Sequence, residues 1–271
     1  MSEIKQDNMG GMDASPHSYS GTEALDMLAA LYKAMRQMGL DPLRRDDWQQ
    51  GIFGLLGVQT INMPDLDSES FVIAANHVSD FDAAMLGLLH PNMRIISKIG
   101  WTQNKELMDA LGRYYDIVGI YRESEIEALE GDAKKAAKEH NYKTTVDALK
   151  FLKGADNTDN TGSTRHLLIF PQGTISDINR NTIHRINPGF AKLANMAKRR
   201  ILNIFQEYPA MGGGTTRIIA GTPYAITDRN ADCRQPWLDD MIALQNSLGN
   251  VRPPVLSEKH ARNNSPDEPF F

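Results

Sequence analysis

The sequence predicts an α/β protein with a mostly parallel or mixed central sheet flanked by helices, and three observations carry that expectation. From Ser70 onward, short apolar runs rich in β-branched residues alternate with stretches of helical periodicity. Polar segments holding Gly, Pro, Asn or Asp separate the runs, as they do where strands hand over to helices. The chain has 271 residues, 41% hydrophobic and 23% charged, enough apolar material for a real core. The same figures exclude wholesale disorder, a collagenous repeat and a disulfide scaffold.

Residues 1–22 are rich in Gly, Ser, Asp and Asn, carry acids and lack an apolar stretch, so a disordered arm with no export address is expected. Between Thr22 and Leu40, the residues Leu25, Leu28, Leu31, Tyr32, Met35 and Met38 recur at helical spacing, with Glu23, Asp26, Lys33 and Arg36 elsewhere around the wheel. With the following GIFGLLG run this makes an N-terminal amphipathic segment over 23–58. Two readings of it stand side by side: a helix that caps the core, and a segment that rests on a membrane surface. The main domain is expected over 59–250. Strands are predicted at FVIAA (71–75), RIIS (94–97), DIVGIY (116–121), HLLIF (166–170), ILNIF (201–205) and RIIAG (217–221). Helices are predicted at 83–89, near 103–112, over 124–153 with a break near Gly131, and over 188–200. The stretch ADNTDNTGS (155–163) reads as a surface insertion, and 251–271 as a tail.

With 29 Lys plus Arg against 34 Asp plus Glu, the formal net charge is −5, so there is no global basic field and no nucleic-acid partner is expected. Any anion site must be local. Cys233 is the sole cysteine, which leaves no intramolecular disulfide, fits a reducing compartment and gives no metal-ligand pattern. The most apolar stretch, GIFGLLGV (51–58), falls far short of the ~20 residues a membrane-spanning helix needs.

Two segments carry chemistry. In Asn76-His77-Val78-Ser79-Asp80-Phe81-Asp82 a histidine sits where a predicted strand gives way to a helix, the end at which loops of α/β sheets gather into sites. Imidazole can take a proton from an alcohol when a carboxylate holds its tautomer and stabilises the imidazolium, so His77 is a candidate base and Asp82 its partner. On one helix the two would lie about 140° apart. The pair therefore works only if His77 precedes the helix and Asp82 lies in its first turn. Ser79-x-x-Asp82 also reads as a capping-box-like helix start, a structural account compatible with the chemical one. The second segment is Phe170-Pro171-Gln172-Gly173-Thr174-Ile175-Ser176. Pro171 ends a strand ladder and Gly173 permits a tight turn, so this loop can present N–H groups and Gln172 to a ligand.

Together the two segments identify a resemblance. NHVSDFD resembles the N-H-x-S-x-x-D signature of the glycerolipid acyltransferase superfamily, and FPQGTIS resembles its F-P-E-G-T-R-S block. Between them, 97–122 resembles the stretch running from a Lys to an Arg, matched by Lys98 and Arg122; after them, NPGFAKLA (187–194) and AGTPYAI (220–226) resemble later family segments. The similarity covers about 50–228. It implies transfer of a fatty acyl group from a thioester, on coenzyme A or acyl carrier protein as co-substrate, to a hydroxyl of a lysolipid acceptor, lysophosphatidic acid favoured. In that scheme His77 is the general base, Asp82 orients it, and Lys98, Arg122, Gln172, Gly173 and Thr174 contact substrate. No acyl-enzyme, metal or further cofactor is implied, and the lipid substrates imply a peripheral place on the cytoplasmic face of a membrane.

The chain departs from the family at two positions. Gln172 replaces a Glu, keeping an acceptor oxygen and losing the charge. Ile175 replaces an Arg that, in the family, helps hold the acceptor's phosphate, and an aliphatic side chain makes no charge-assisted bond. Arg180, Arg185 and Lys192 lie close in sequence as candidate substitutes. The departures keep two further readings open: an acceptor without phosphate, such as a glycolipid, and a binding protein of the same fold with catalysis lost.

Overall fold

The computed structural model describes residues 21–78, 81–103, 105–154, 163–173, 186–208, 215–227 and 232–249. Its centre is strand β2. FVIAA is buried at all five positions, the pattern of a strand covered on both faces. The elements run α1 (Gly21–Gln37), α2 (Arg45–Leu56), β1 (Gln59–Ile61), β2 (Phe71–Ala75), α3 (Phe81–Leu86), β3 (Met93–Lys98), α4 (Ile99–Gln103), α5 (Lys105–Leu111), β4 (Asp116–Ile120), α6 (Glu123–Glu127), α7 (Gly131–Lys153), β5 (His166–Ile169), α8 (Gly189–Ala197), β6 (Arg200–Glu207), β7 (Arg217–Ala220) and α9 (Arg234–Ser247).

These strands form one seven-stranded sheet in the order β1-β7-β6-β2-β5-β3-β4. β2 to β6 are mutually parallel, β7 runs antiparallel to β6, and β1 pairs parallel with β7. The expected α/β class with a mixed, mostly parallel sheet is the observed one. Side-chain alternation divides the core in two. Ile73, Ala75, Ile95, Leu168, Leu202 and Ile204 face Met35, Trp48, Ile52, Met85 and Leu86, whereas Val72, Ala74, Leu167, Ile201 and Phe205 face Ala148, Leu152, Phe190, Trp237 and Met241. The long charged helical region is interrupted where expected: α6 stops at Glu127 and α7 restarts at Gly131, whose φ of 52° lies in the left-handed region. Edge strand β1 and helix α9 are not among the sequence expectations. The arm (1–20 of it), the insertion at 155–162 and the tail lie outside the described residues.

α1 and α2 pack onto the first core. Met35, Trp48 and Ile52 are almost fully buried, and Trp48 stacks on Tyr114 at 4.7 Å between ring centroids while donating to the Tyr115 hydroxyl at 2.8 Å. Arg45 donates to the carbonyls of Gly87 and His90, closing the last turns after α3. The core-capping reading therefore describes the inner faces of both helices. Met38, Leu43 and Leu55 remain exposed on the outside. Among the described residues no helix is long and apolar enough to cross a membrane.

At the amino-terminal end of the sheet, opposite the candidate chemistry, His166 is completely buried. Its Nδ1 accepts the Phe71 N–H at 3.3 Å and its Nε2–H donates to the Leu66 carbonyl at 3.1 Å, an arrangement that needs the neutral ring. Burial, reinforced by the neighbouring His90, pushes its pKa down to about 4. The unfolded chain takes up this proton as pH falls through about 6.5, whereas the native state resists until about 4. The contribution of His166 is thus complete above pH 6.5 and declines between 6.5 and 4. Urea titrations should show a loss of roughly 2 kcal/mol between pH 7.5 and 5 that is absent in His166→Gln; equal pH slopes for the two proteins would contradict this assignment.

Candidate active site

The carboxyl end of β2 is fastened on both sides. Towards β6, Asn76 and Gln206 exchange amide bonds: Asn76 Nδ2 donates to the Gln206 carbonyl at 2.9 Å, the Gln206 N–H donates to Asn76 Oδ1 at 2.7 Å, and Gln206 Nε2 donates to the Asn76 carbonyl at 2.9 Å. Side chains thus continue the ladder where the strand pairing stops. Towards β5, the His77 N–H donates to Gln172 Oε1 at 2.7 Å. His77 therefore leaves the sheet with a backbone fixed by both neighbouring strands.

The chain then turns into α3, and Asp82 lies in its first turn. His77 Nδ1 and Asp82 Oδ2 are 2.8 Å apart, and the Val78 N–H donates to the same oxygen at 2.6 Å. The other oxygen, Oδ1, accepts the Tyr208 hydroxyl at 2.7 Å. The Asp82 side chain has no solvent exposure, against 17% for His77. An ionised carboxylate only accepts, so Nδ1 carries the hydrogen and the lone pair of the neutral imidazole lies on Nε2. The Phe170 ring stacks on the imidazole at 4.3 Å between centroids and fixes its plane. The geometry required of a His–Asp base, with histidine ahead of the helix and aspartate in its first turn, is present. Ser79, the expected cap, lies outside the described residues.

Gln172 is nearly buried, and its carbonyl oxygen is committed to the His77 backbone. The departure from Glu at this position thus preserves an acceptor for that N–H. The loop turns at Gly173, whose φ of 64° is left-handed and whose Cβ, if present, would lie 2.9 Å from Asn187 Nδ2. The Gly173 N–H closes onto the Phe170 carbonyl at 2.9 Å, and the Asn187 N–H onto the Pro171 carbonyl at 2.7 Å. Thr174, Ile175, Arg180 and Arg185 lie outside the described residues.

Lys98 ends β3, and Arg122 lies just past β4, preceding α6. Because β2, β5, β3 and β4 are adjacent and parallel, His77, Gln172, Lys98 and Arg122 follow one another along one edge of the sheet in steps of about 5 Å. Neither cation forms a hydrogen bond or ion pair with His77. Both meet Glu125: Lys98 Nζ lies 3.5 Å from Oε1, and the Arg122 backbone N–H donates to Oε2 at 2.8 Å. Contact at the site therefore unites His77, Asp82 and Gln172, with Lys98 and Arg122 outboard on the same edge. The sequence reading missed Tyr208, Phe170 as a ring support, and the Asn76–Gln206 lock. Tyr208 is 126 residues from Asp82, and only the adjacency of β6 to β2 brings them together. Among the described residues, no group of three or more His, Cys, Asp or Glu side chains is arranged to hold a metal ion.

Residues 57–206 match the family described as Acyltransferase. Among solved structures, the crystal structure of the 1-acyl-sn-glycerophosphate (LPA) acyltransferase PlsC from Thermotoga maritima is similar with a TM-score of 0.49 and 14% sequence identity, covering 84% of this chain and 84% of that one. No curated protein matches the sequence. The bond from His77 to Gln172 yields a test of its own. Gln172→Glu keeps an acceptor for the His77 N–H, and Gln172→Leu removes it; the Leu variant should be about 1–3 kcal/mol less stable than the Glu variant in urea denaturation, whereas equal midpoints would show that the bond contributes nothing.

Proposed function

The chain belongs to the acyltransferase family, and from that premise we propose that it moves a fatty acyl group from an acyl-CoA or acyl carrier protein thioester to a hydroxyl of a lysophospholipid-type acceptor, with lysophosphatidic acid favoured. The observation that carries this reading is the 2.8 Å contact between His77 Nδ1 and the fully buried Asp82 carboxylate. It leaves Nε2 as the basic atom. A thioester is already activated, so the protein need supply mainly a base, alignment and stabilisation of developing charge.

In the proposed step His77 Nε2 takes the proton of the acceptor hydroxyl as its oxygen attacks the thioester carbonyl carbon. The imidazolium is stabilised by Asp82. Collapse of the tetrahedral adduct breaks the C–S bond, and the imidazolium returns its proton to the departing thiolate, so products are an ester and a free thiol with no acylated protein. Cys233, the sole cysteine, is buried at the start of α9 among the residues of the second core, in keeping with a route that uses no protein thiol. In this reading Lys98 and Arg122 attract the acceptor phosphate, and Gln172, Gly173 and Thr174 line the acyl donor's approach. The greasy substrates call for a bilayer surface, so the proposal includes peripheral association with the cytoplasmic face; the exposed Met38 and Leu43 between α1 and α2, and Leu55 on α2, support it.

A second acceptor class is favoured by a specific observation. Glu125 meets both cationic residues of the edge, and Ile175 stands where the family carries an Arg, so phosphate binding here is weaker in charge than the family pattern implies. A phosphate-free lysolipid or glycolipid acceptor fits that. A panel of lysolipids with and without phosphate, incubated with acyl-CoA or acyl carrier protein and read by product mass, tests both. Lysophosphatidic acid should be acylated fastest, and His77→Ala should lower the rate by about 10²–10⁴-fold. Preference for phosphate-free acceptors would transfer the assignment to the second class, and undiminished turnover by His77→Ala would overturn the base.

A further inference from the structure

We propose that Tyr208 is a positioning residue for acyl transfer, its hydroxyl setting the plane of the Asp82 carboxylate that orients His77. This rests on the reading of His77 as the base. Tyr208 lies two residues beyond the stretch that matches the family, and its hydroxyl donates to Asp82 Oδ1 at 2.7 Å.

The reason is geometric. Two described donors next to β2, His77 Nδ1–H and Val78 N–H, end on Oδ2. The Tyr208 bond falls on the other oxygen, Oδ1, and comes from a different element, so it restrains rotation of the carboxylate about the Oδ2 contacts. It is also a charge-assisted bond to a carboxylate that has no solvent exposure, where such bonds are strong.

Tyr208 is itself held. It follows β6 directly, after Gln206, which is locked to Asn76, and Glu207, which forms an ion pair with Arg217 of β7. Its ring packs against the first core. The phenol is thus delivered by the same strand that fastens the end of β2, and the Asp82 clamp closes from the β6 side while Gln172 fixes the His77 backbone from the β5 side.

The test combines a double-mutant cycle with a spectroscopic readout. Tyr208→Phe keeps the ring and should lower kcat about ten- to a hundredfold, with the acceptor KM changed by less than about twofold and the thermal midpoint lowered by no more than about 6 °C. In an Asp82→Asn background the same change should have no further effect on kcat, because the group it positions is gone. In proton NMR of the resting protein, the downfield Nδ1–H resonance of His77, identified by its loss in His77→Ala, should shift in Tyr208→Phe. The proposal needs both results. An unchanged kcat, an equal further fall in the Asp82→Asn background, or an unmoved resonance overturns it. Full activity of His77→Ala would instead sink the base itself, and the resonance would still report whether Tyr208 holds the pair.

Discussion

A carboxylate with no access to solvent must be satisfied by the protein, and Asp82 organises its surroundings on that condition. An ionised group in such a place is tolerated only with donors around it. Among the described residues they include the His77 imidazole, the Val78 backbone and the Tyr208 phenol. None of these three is an Arg or Lys, and in the proposed mechanism the carboxylate's charge stabilises an imidazolium. Burial sharpens the effect, since the pairing of His77 with Asp82 is stronger where water does not compete.

The sheet order makes this arrangement possible. β2 lies between β5 and β6, and each side contributes two restraints beyond its backbone ladder. The loop after β5 gives Gln172 to the His77 N–H and Phe170 to the imidazole face. β6 gives Gln206 to Asn76 and is followed directly by Tyr208, which bonds Asp82. A strand buried on both faces is stiff, and a site at its carboxyl end inherits that stiffness. Placement of the cations follows the same logic at longer range, because parallel β3 and β4 bring Lys98 and Arg122 to the same edge.

Much of this was legible in the sequence, and the reason differs by element. FVIAA, HLLIF and ILNIF read as strands because central parallel strands are continuous apolar runs. The break before α7 was visible in Gly131, and the His77–Asp82 relation in the five-residue spacing across a strand-to-helix change. β1 was not legible, since QTI is three residues long and takes its conformation from pairing with β7. α9 was missed because RQPWLDDMIALQNS carries no strong apolar stripe, although Trp237 and Met241 are buried. The N-terminal helices needed coordinates to show that Met35, Trp48 and Ile52 point inward. Tyr208 needed the strand order, a property of the whole chain that no local window contains.

The role we propose for His77 is that of a base rather than a nucleophile: the histidine is held by a buried carboxylate, and the sole cysteine is buried among the residues of the other core. In the proposed reaction the acceptor's own oxygen attacks the thioester in a single displacement. The intact mass of the protein, quenched during turnover with acyl thioester and lysolipid, tests this most directly. The account predicts that ester product accumulates while the protein's mass stays that of the free chain. A protein species heavier by one acyl group, formed with thioester alone and discharged on adding lysolipid at the rate of turnover, would contradict it.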